Sequence, residues 1–368
     1  MRVHIVDPSA YTPPYDHALC AALARAGASV ELVTSAFAYG EAPKPDGYSR
    51  LELFYRLAPG RAGSARRRAG KLLEHVPDML RYRRLAAERA DVVHFQWLAM
   101  QWLDGALLPR KPTVLTAHDL LPREPRAGQA WAQRRLYDAV DAIIVHSRYG
   151  CDQLVERLAV DPGKVHIVPH GAFTHLAEPR SEHRLSDELR AVQCPVVLFF
   201  GLLRPYKGLE VLLEAWRGVS GGELWIVGRP RMPLEPLRAM ASSGVRFVPR
   251  FVPDDELAAY FQRADLVVLP YTRTERFDQS GVLATALAFG KPIVLSDIGG
   301  FGEVARTGAG VAVAPDDPDA LRAAIAKLID DEPARKRMGE AALAGAGGEY
   351  SWEHAAQKTL AVYESILG

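Results

Sequence analysis

The chain has 368 residues, about two and a half times the usual length of one domain, which predicts two. Its hydrophobic fraction of 48% and charged fraction of 24% are ordinary for globular protein, and 45 basic residues face 44 acidic ones. A net charge of +1 leaves no overall field for nucleic acid, so any bound anion must be held by a local arrangement.

The chain-order pattern opens on a strand, Val3 to Val6, with no charged and apolar leader before it. No apolar run approaches the roughly 20 residues needed to cross a bilayer. Cys20, Cys151 and Cys194 are odd in number and far apart, which fits a reducing compartment rather than a disulfide framework or a zinc motif. The expectation is a cytoplasmic chain, at most peripheral at the membrane face. A helix from about Ala18 to Ala26 closes at Gly27, and Ser29 to Thr34 is a strand again. Val92 to Phe95, Thr113 to Thr116, Ala142 to Val145 and Val165 to Val168 follow as strands between helical patterns. Such alternation predicts a parallel sheet with helices on both faces.

The pattern restarts at Pro195 to Phe200, an apolar run suited to burial on both sides, followed by a helix from about Leu209 to Arg217. Glu223 to Val227, Val245 to Val248, Leu266 to Leu269, Pro292 to Leu295 and Gly310 to Val313 continue a second sheet. Phe173 to Gln193 is polar and lacks apolar periodicity, as a linker would. The fold class expected is α/β: two Rossmann-like, doubly wound parallel-sheet domains facing a central cleft. Their boundaries are 1–185 and 194–350. A helix at 351–368, with Ala356, Leu360, Tyr363 and Leu367 on one face, can pack back on the first domain.

The sharpest local signal is Phe200-Gly201-Leu202-Leu203-Arg204-Pro205-Tyr206-Lys207-Gly208, a strand end, a loop and a helix start. Gly201 permits a tight turn and Gly208 a close backbone approach. The next helix turns its positive end to the loop, where Arg204 offers a fork for phosphate oxygens and Lys207 a compact charge. A solvated loop with two water-facing cations is the plainer reading of an isolated Arg-x-x-Lys. A second candidate is Asp278-Gln279-Ser280-Gly281-Val282 before the helix Leu283 to Phe289, whose free amides suit phosphate. Its plainer reading has Ser280 capping its own helix.

From Pro195 to Val313 these segments, in order and spacing, resemble the donor half of retaining GT-B glycosyltransferases of family 4. Leu198-Phe199-Phe200-Gly201 through Lys207-Gly208, Trp225-Ile226-Val227-Gly228, Asp265-Leu266-Val267-Val268-Leu269-Pro270 and Gly290-Lys291-Pro292 carry the likeness. Val92-Val93-His94, Thr116-Ala117-His118-Asp119, Val145-His146-Ser147 and Val168-Pro169-His170-Gly171 carry it more weakly before.

The resemblance implies that Arg204 and Lys207 neutralise a donor diphosphate. It implies that the amides of Ser280, Gly281 and Val282 hold the distal phosphate, and that Gly228, Arg250 and Phe251 line the base. His118 would face the donor sugar; without the likeness it reads as a hydrogen-bonded histidine at a strand end. Two glutamates common in the family fall on Phe277 and Thr285 here. Thr285 is then expected on the ribose, and Asp278 or Glu275 on the sugar.

The implied reaction moves a sugar from a nucleoside-diphosphate sugar to an acceptor hydroxyl, with retention, in glycan, glycolipid or natural-product synthesis. No cofactor or metal is expected. The only Asp-x-Asp, Asp317-Pro318-Asp319, precedes a helix and reads as a capping turn. Acceptor binding is assigned to Tyr15 and Asp16, in a first strand-to-helix loop with prolines where relatives have glycines, and to His94 and Trp97. For His94-Phe95-Gln96-Trp97 a core strand end is an equal reading.

The acceptor is a small molecule, a glycan or a lipid-linked compound. Arg66-Arg67-Arg68, Lys71, Arg81, Arg83 and Arg84, with Leu72, Leu73, Val76, Met79 and Leu80, admit two readings. One is a solvated helical face, which composition favours; the other is contact with an anionic membrane. Competing functions are a sugar-nucleotide epimerase or hydrolase on the same fold, and a catalytically silent nucleotide-sugar binding protein.

Overall fold

The computed structural model describes residues 1–38, 40–58, 64–121, 128–178, 185–276 and 278–368. The chain forms two compact units. The first comprises Met1–Gly171, Arg276–Asp278 and Trp352–Gly368, and the second Ala172–Glu275 and Gln279–Ser351.

Seven strands form the first sheet: β1 (Arg2–Asp7), β2 (Ser29–Thr34), β3 (Ser49–Glu52), β4 (Val92–Phe95), β5 (Thr113–Thr116), β6 (Ala142–Val145) and β7 (Val165–Ile167). Their order is β3-β2-β1-β4-β5-β6-β7, with every pairing parallel. The central strands are short Val/Ile-rich runs buried on both faces, as a helix-covered parallel sheet requires. The strand order reverses between β1 and β4, so the loops leaving Asp7 and Phe95 diverge there, where doubly wound sheets open for ligands.

Around this sheet lie α1 (Pro13–Arg25), α2 (Ala65–Arg89), α3 (Gln101–Leu107) and α4 (Gln129–Ala139). α1 starts at Pro13, five residues before the sequence pattern suggests, so Pro13 to His17 are its first turn and not a loop. Proline fits there because a first-turn N–H has no helical partner to lose. Asp7 closes the preceding turn by accepting the amides of Ser9, Tyr11 and Thr12. α2 is capped by Ser64, which accepts from the Arg67 amide, and it buries His75, Met79, Tyr82 and Ala86 at helical spacing.

The second sheet contains β8 (Val196–Phe200), β9 (Glu223–Val227), β10 (Val245–Val248), β11 (Leu266–Leu269), β12 (Ile293–Ser296) and β13 (Gly310–Val313). It runs β10-β9-β8-β11-β12-β13, again parallel throughout. α5 (Leu209–Trp216) buries Leu209, Leu212, Leu213 and Trp216 against it, and α6 (Gly281–Ala288) is buried almost all round. α7 (Pro318–Asp330) is capped by Asp317, which accepts from the Asp319 and Ala320 amides: the Asp-x-Asp is a capping turn.

The C-terminal helix α8 (Trp352–Leu367) belongs to the first unit, against α1. The Tyr363 hydroxyl meets His94 Nδ1 at 2.6 Å, and Arg25 pairs with Glu353 at 3.1 Å. Among the described residues no helix is long and apolar enough to cross a membrane.

Candidate active site

In the second unit the chain leaves β8 at Gly201 and makes one 3-10 turn, Pro205–Lys207, before α5. Gly228, at the end of β9, has φ +146°, and a Cβ there would stand 1.8 Å from the Gly201 carbonyl oxygen. Gly208 is equally constrained, with φ +68° and the Pro270 oxygen 1.8 Å from a Cβ position. These two contacts draw the ends of β8, β9 and β11 together around one loop.

That loop carries both cations. Lys207 is buried, with its Nζ 5.0 Å from the centre of the Tyr271 ring and close over Gly201. Arg204 is half-buried, and its Nε is buried with no hydrogen-bond partner. A buried guanidinium N–H without an acceptor costs about 1–3 kcal/mol, so an oxygen acceptor placed there would be stabilising. The α5 N-terminus adds first-turn amides with no helical partner.

Ser280 caps α6, accepting from the Val282 amide at 3.3 Å and touching the Tyr271 hydroxyl at 3.1 Å. The plainer sequence reading of Ser280 is therefore present, and Tyr271 links this helix end to Lys207. Arg250 bonds Glu256 at 2.5 Å and Tyr260 at 3.3 Å, beside a pocket that Val248 and Leu189 also line. Phe251 is 47% exposed, an apolar ring turned to solvent.

In the first unit His118 follows β5. Trp97 stacks on its ring at 4.8 Å and 14°, and Tyr15 meets it edge-on at 4.6 Å. His146 Nδ1 lies 3.0 Å from the Val168 carbonyl, so that nitrogen carries the proton and Nε2 is free to accept. His118 Nδ1, 3.3 Å from His146 Nε2, is then the donor of that pair. The other ring nitrogen of His118, Nε2, lies 3.1 Å from the Gln96 side-chain oxygen. Burial pushes His146 down to about 4 and His170 down to about 3, so both are neutral near pH 7. Tyr15 also contacts His170 and Trp352 at 5.0 and 4.9 Å, forming one aromatic cluster. An open pocket beside His118 is lined by Gln96, Trp97, Gln101, Asp119 and Gln133.

Several residues expected at the site are turned into the protein. His94 is 1% exposed, with Tyr363 and Thr116 hydroxyls on its two nitrogens, so the strand-end reading applies and it is no acceptor wall. Tyr15 and Asp16 are buried too, because α1 starts earlier than expected and places them on its inner face. Burial and the nearby Asp7 carboxylate push Asp16 well above the usual carboxylate range.

Asp278 is fully buried: it accepts from the His146 amide and the Ser147 hydroxyl within the first unit, and so does not replace a sugar-binding glutamate. The Thr285 hydroxyl donates to the Gly281 carbonyl at 2.8 Å, committing its proton inside α6 rather than to a ribose. Phe277 lies outside the described residues. The residues that sequence reasoning gave no role are Asp7, His146, His170 and Trp352. A buried aspartate at a strand end and two histidines after strands were the available signal.

Two family models match in succession: Glycosyltransferase Family 4 over residues 15–175 and Glycosyl transferases group 1 over residues 194–331. The alpha-maltose-1-phosphate synthase of Mycolicibacterium smegmatis is 30% identical over 76% of this chain and 80% of its own length. The chain belongs to glycosyltransferase family 4. This glycosyltransferase is also 27% identical to the D-inositol 3-phosphate glycosyltransferase of Corynebacterium diphtheriae, over 93% of this chain and 86% of the relative. In fold it resembles sucrose-phosphate synthase from Thermosynechococcus elongatus, with TM-score 0.76 at 19% identity over 100% and 99% of the two chains. It also resembles Anabaena HepE in complex with UDP, with TM-score 0.74 at 17% identity over 99% and 100%. These glycosyltransferases share its two-sheet GT-B architecture.

Proposed function

We propose that this glycosyltransferase takes its sugar from a nucleoside diphosphate, with the diphosphate held by Arg204, Lys207 and the N-termini of α5 and α6. The observation that carries the reading is the buried Arg204 Nε without an acceptor, on the same loop as buried Lys207. When the bond from the anomeric carbon to the diphosphate breaks, its electron pair stays on the diphosphate. Donors fixed at that point oppose a charge that grows in the transition state and so lower the barrier. Solved structures of Anabaena HepE hold UDP or UDP-glucose, which supports a nucleotide-sugar donor here.

Gly201 and Gly228 shape the loop, Gly281 at the start of α6 offers its amide to the distal phosphate while the Val282 amide is held by the Ser280 cap, and Arg250 and Phe251 stand for the base. From the first unit, His118 is assigned to the sugar and Trp97 to the acceptor, in the pocket that Gln96, Gln101 and Asp119 line. The transfer proceeds with retention and without a metal, because the two cations and the helix ends supply the charge that a metal otherwise would. The product serves glycan, glycolipid or natural-product synthesis on the cytoplasmic side.

A thermal-shift screen over nucleoside diphosphates tests donor class, since a ligand of the folded form raises its Tm. Turnover that survives a strong chelator and a product that keeps the donor's anomeric configuration test the rest. No shift with any nucleoside diphosphate would end the proposal.

A further inference from the structure

We propose that the α2–α3–α4 side of the first unit docks on an anionic lipid surface. Large apolar side chains in water are concentrated there: Leu73 is 80% exposed, Trp102 58% and Trp131 55%, with Leu72 and Leu103 beside them. On α2, Leu73, Pro77 and Leu80 recur at helical spacing on the face opposite the buried His75, Met79 and Tyr82. Exposed Arg66 and Arg84 continue that same stripe at its two ends. The helix therefore presents an apolar centre between cations, the pattern of a helix lying in a membrane interface.

Charge complementarity selects the occupant. α2 carries eight basic residues and three acidic ones, in a chain whose net charge is only +1. The buried His75–Asp104 bond joins α2 to α3, so that Leu72 on one helix and Leu103 on the other flank the same joint. Trp102 and Trp131 lie 5.4 Å apart, with the Arg135 guanidinium 4.9 Å over the Trp131 ring. Indoles with a polar edge favour the headgroup level, and each arginine near an anionic surface strengthens binding. A soluble protein partner would need no such excess of cations around leucine and tryptophan.

The test is co-sedimentation of the full chain with vesicles of phosphatidylcholine alone or with phosphatidylglycerol, at low and high salt. Binding is expected to need phosphatidylglycerol and to fall with salt. Arg66→Glu with Arg84→Glu should weaken it roughly tenfold or more. Leu72→Ser with Leu73→Ser should abolish it, and tryptophan quenching by brominated lipid should fall in Trp102→Phe with Trp131→Phe. These positions are exposed, and unchanged melting curves confirm folding. Absence of binding to anionic vesicles at low salt, or equal binding by the charge-reversed form, would overturn the proposal. So would a lipid-independent dimer that the leucine changes dissolve. Nucleoside-diphosphate thermal shifts report on the donor site separately, because they involve none of these residues.

Discussion

Gly228 and Gly201 touch through their backbones: a single added methyl on Gly228 would lie 1.8 Å from the Gly201 carbonyl oxygen. That contact holds the end of β9 against the loop carrying Arg204 and Lys207. Gly228→Ala must push this loop outward or twist a backbone already at φ +146°. The expected loss is about 1–3 kcal/mol of stability, read as a lower Tm, with weakened nucleoside-diphosphate binding. An alanine variant with native Tm and native affinity would show that the close approach has no role.

Asp278→Ala removes a buried acceptor from the His146 amide and the Ser147 hydroxyl. The cost is about 1–3 kcal/mol for each buried donor left unpaired, seen as a fall of several degrees in Tm. Ser147→Ala added to this variant should change Tm little further, because the two positions act as one network. Additive losses would contradict the network.

The elements were legible from sequence wherever burial on both faces leaves a continuous apolar run, as at Val196–Phe200 and Leu266–Leu269. β3 was not, because Ser-Arg-Leu-Glu is an edge strand with polar, half-exposed residues and no such run. The N-terminus of α1 was hidden by Pro13 and Pro14, which resemble a loop until one notes that a first helical turn tolerates proline. The loop after β8 was legible as glycines and cations following a strand. The fates of Asp278, His94 and Thr285 were not, since each depends on partners distant in sequence or on which side of a helix faces inward.

His94, His146 and His170 supply a pH dependence. Burial holds their pKa values near 3, 4 and 3, below the ordinary 6.5 that each regains on unfolding. A depressed folded pKa means that the unfolded chain gains protons first as acid is added. Stability is therefore full above about pH 6.5 and falls as pH drops towards 4. Tm should decline steadily across that window. A flat profile down to about pH 4 would refute neutral burial of these rings.

Tyr363→Phe removes the hydroxyl facing His94 Nδ1 and leaves the ring in place. The expected cost is about 1 kcal/mol or somewhat more, with local opening of α8 detected by faster amide exchange. Unaltered exchange along α8 would mean that the helix is held by its apolar face alone.

Arg204 and Lys207 are proposed to grip a diphosphate. The decisive measurement is calorimetric titration of the nucleoside diphosphate that most raises wild-type Tm into Arg204→Ala and Lys207→Ala, alongside turnover of each. Affinity weakened by roughly tenfold or more and turnover reduced about a hundredfold are expected in both, with folding intact. Native affinity and native turnover in folded Arg204→Ala protein would contradict the proposal.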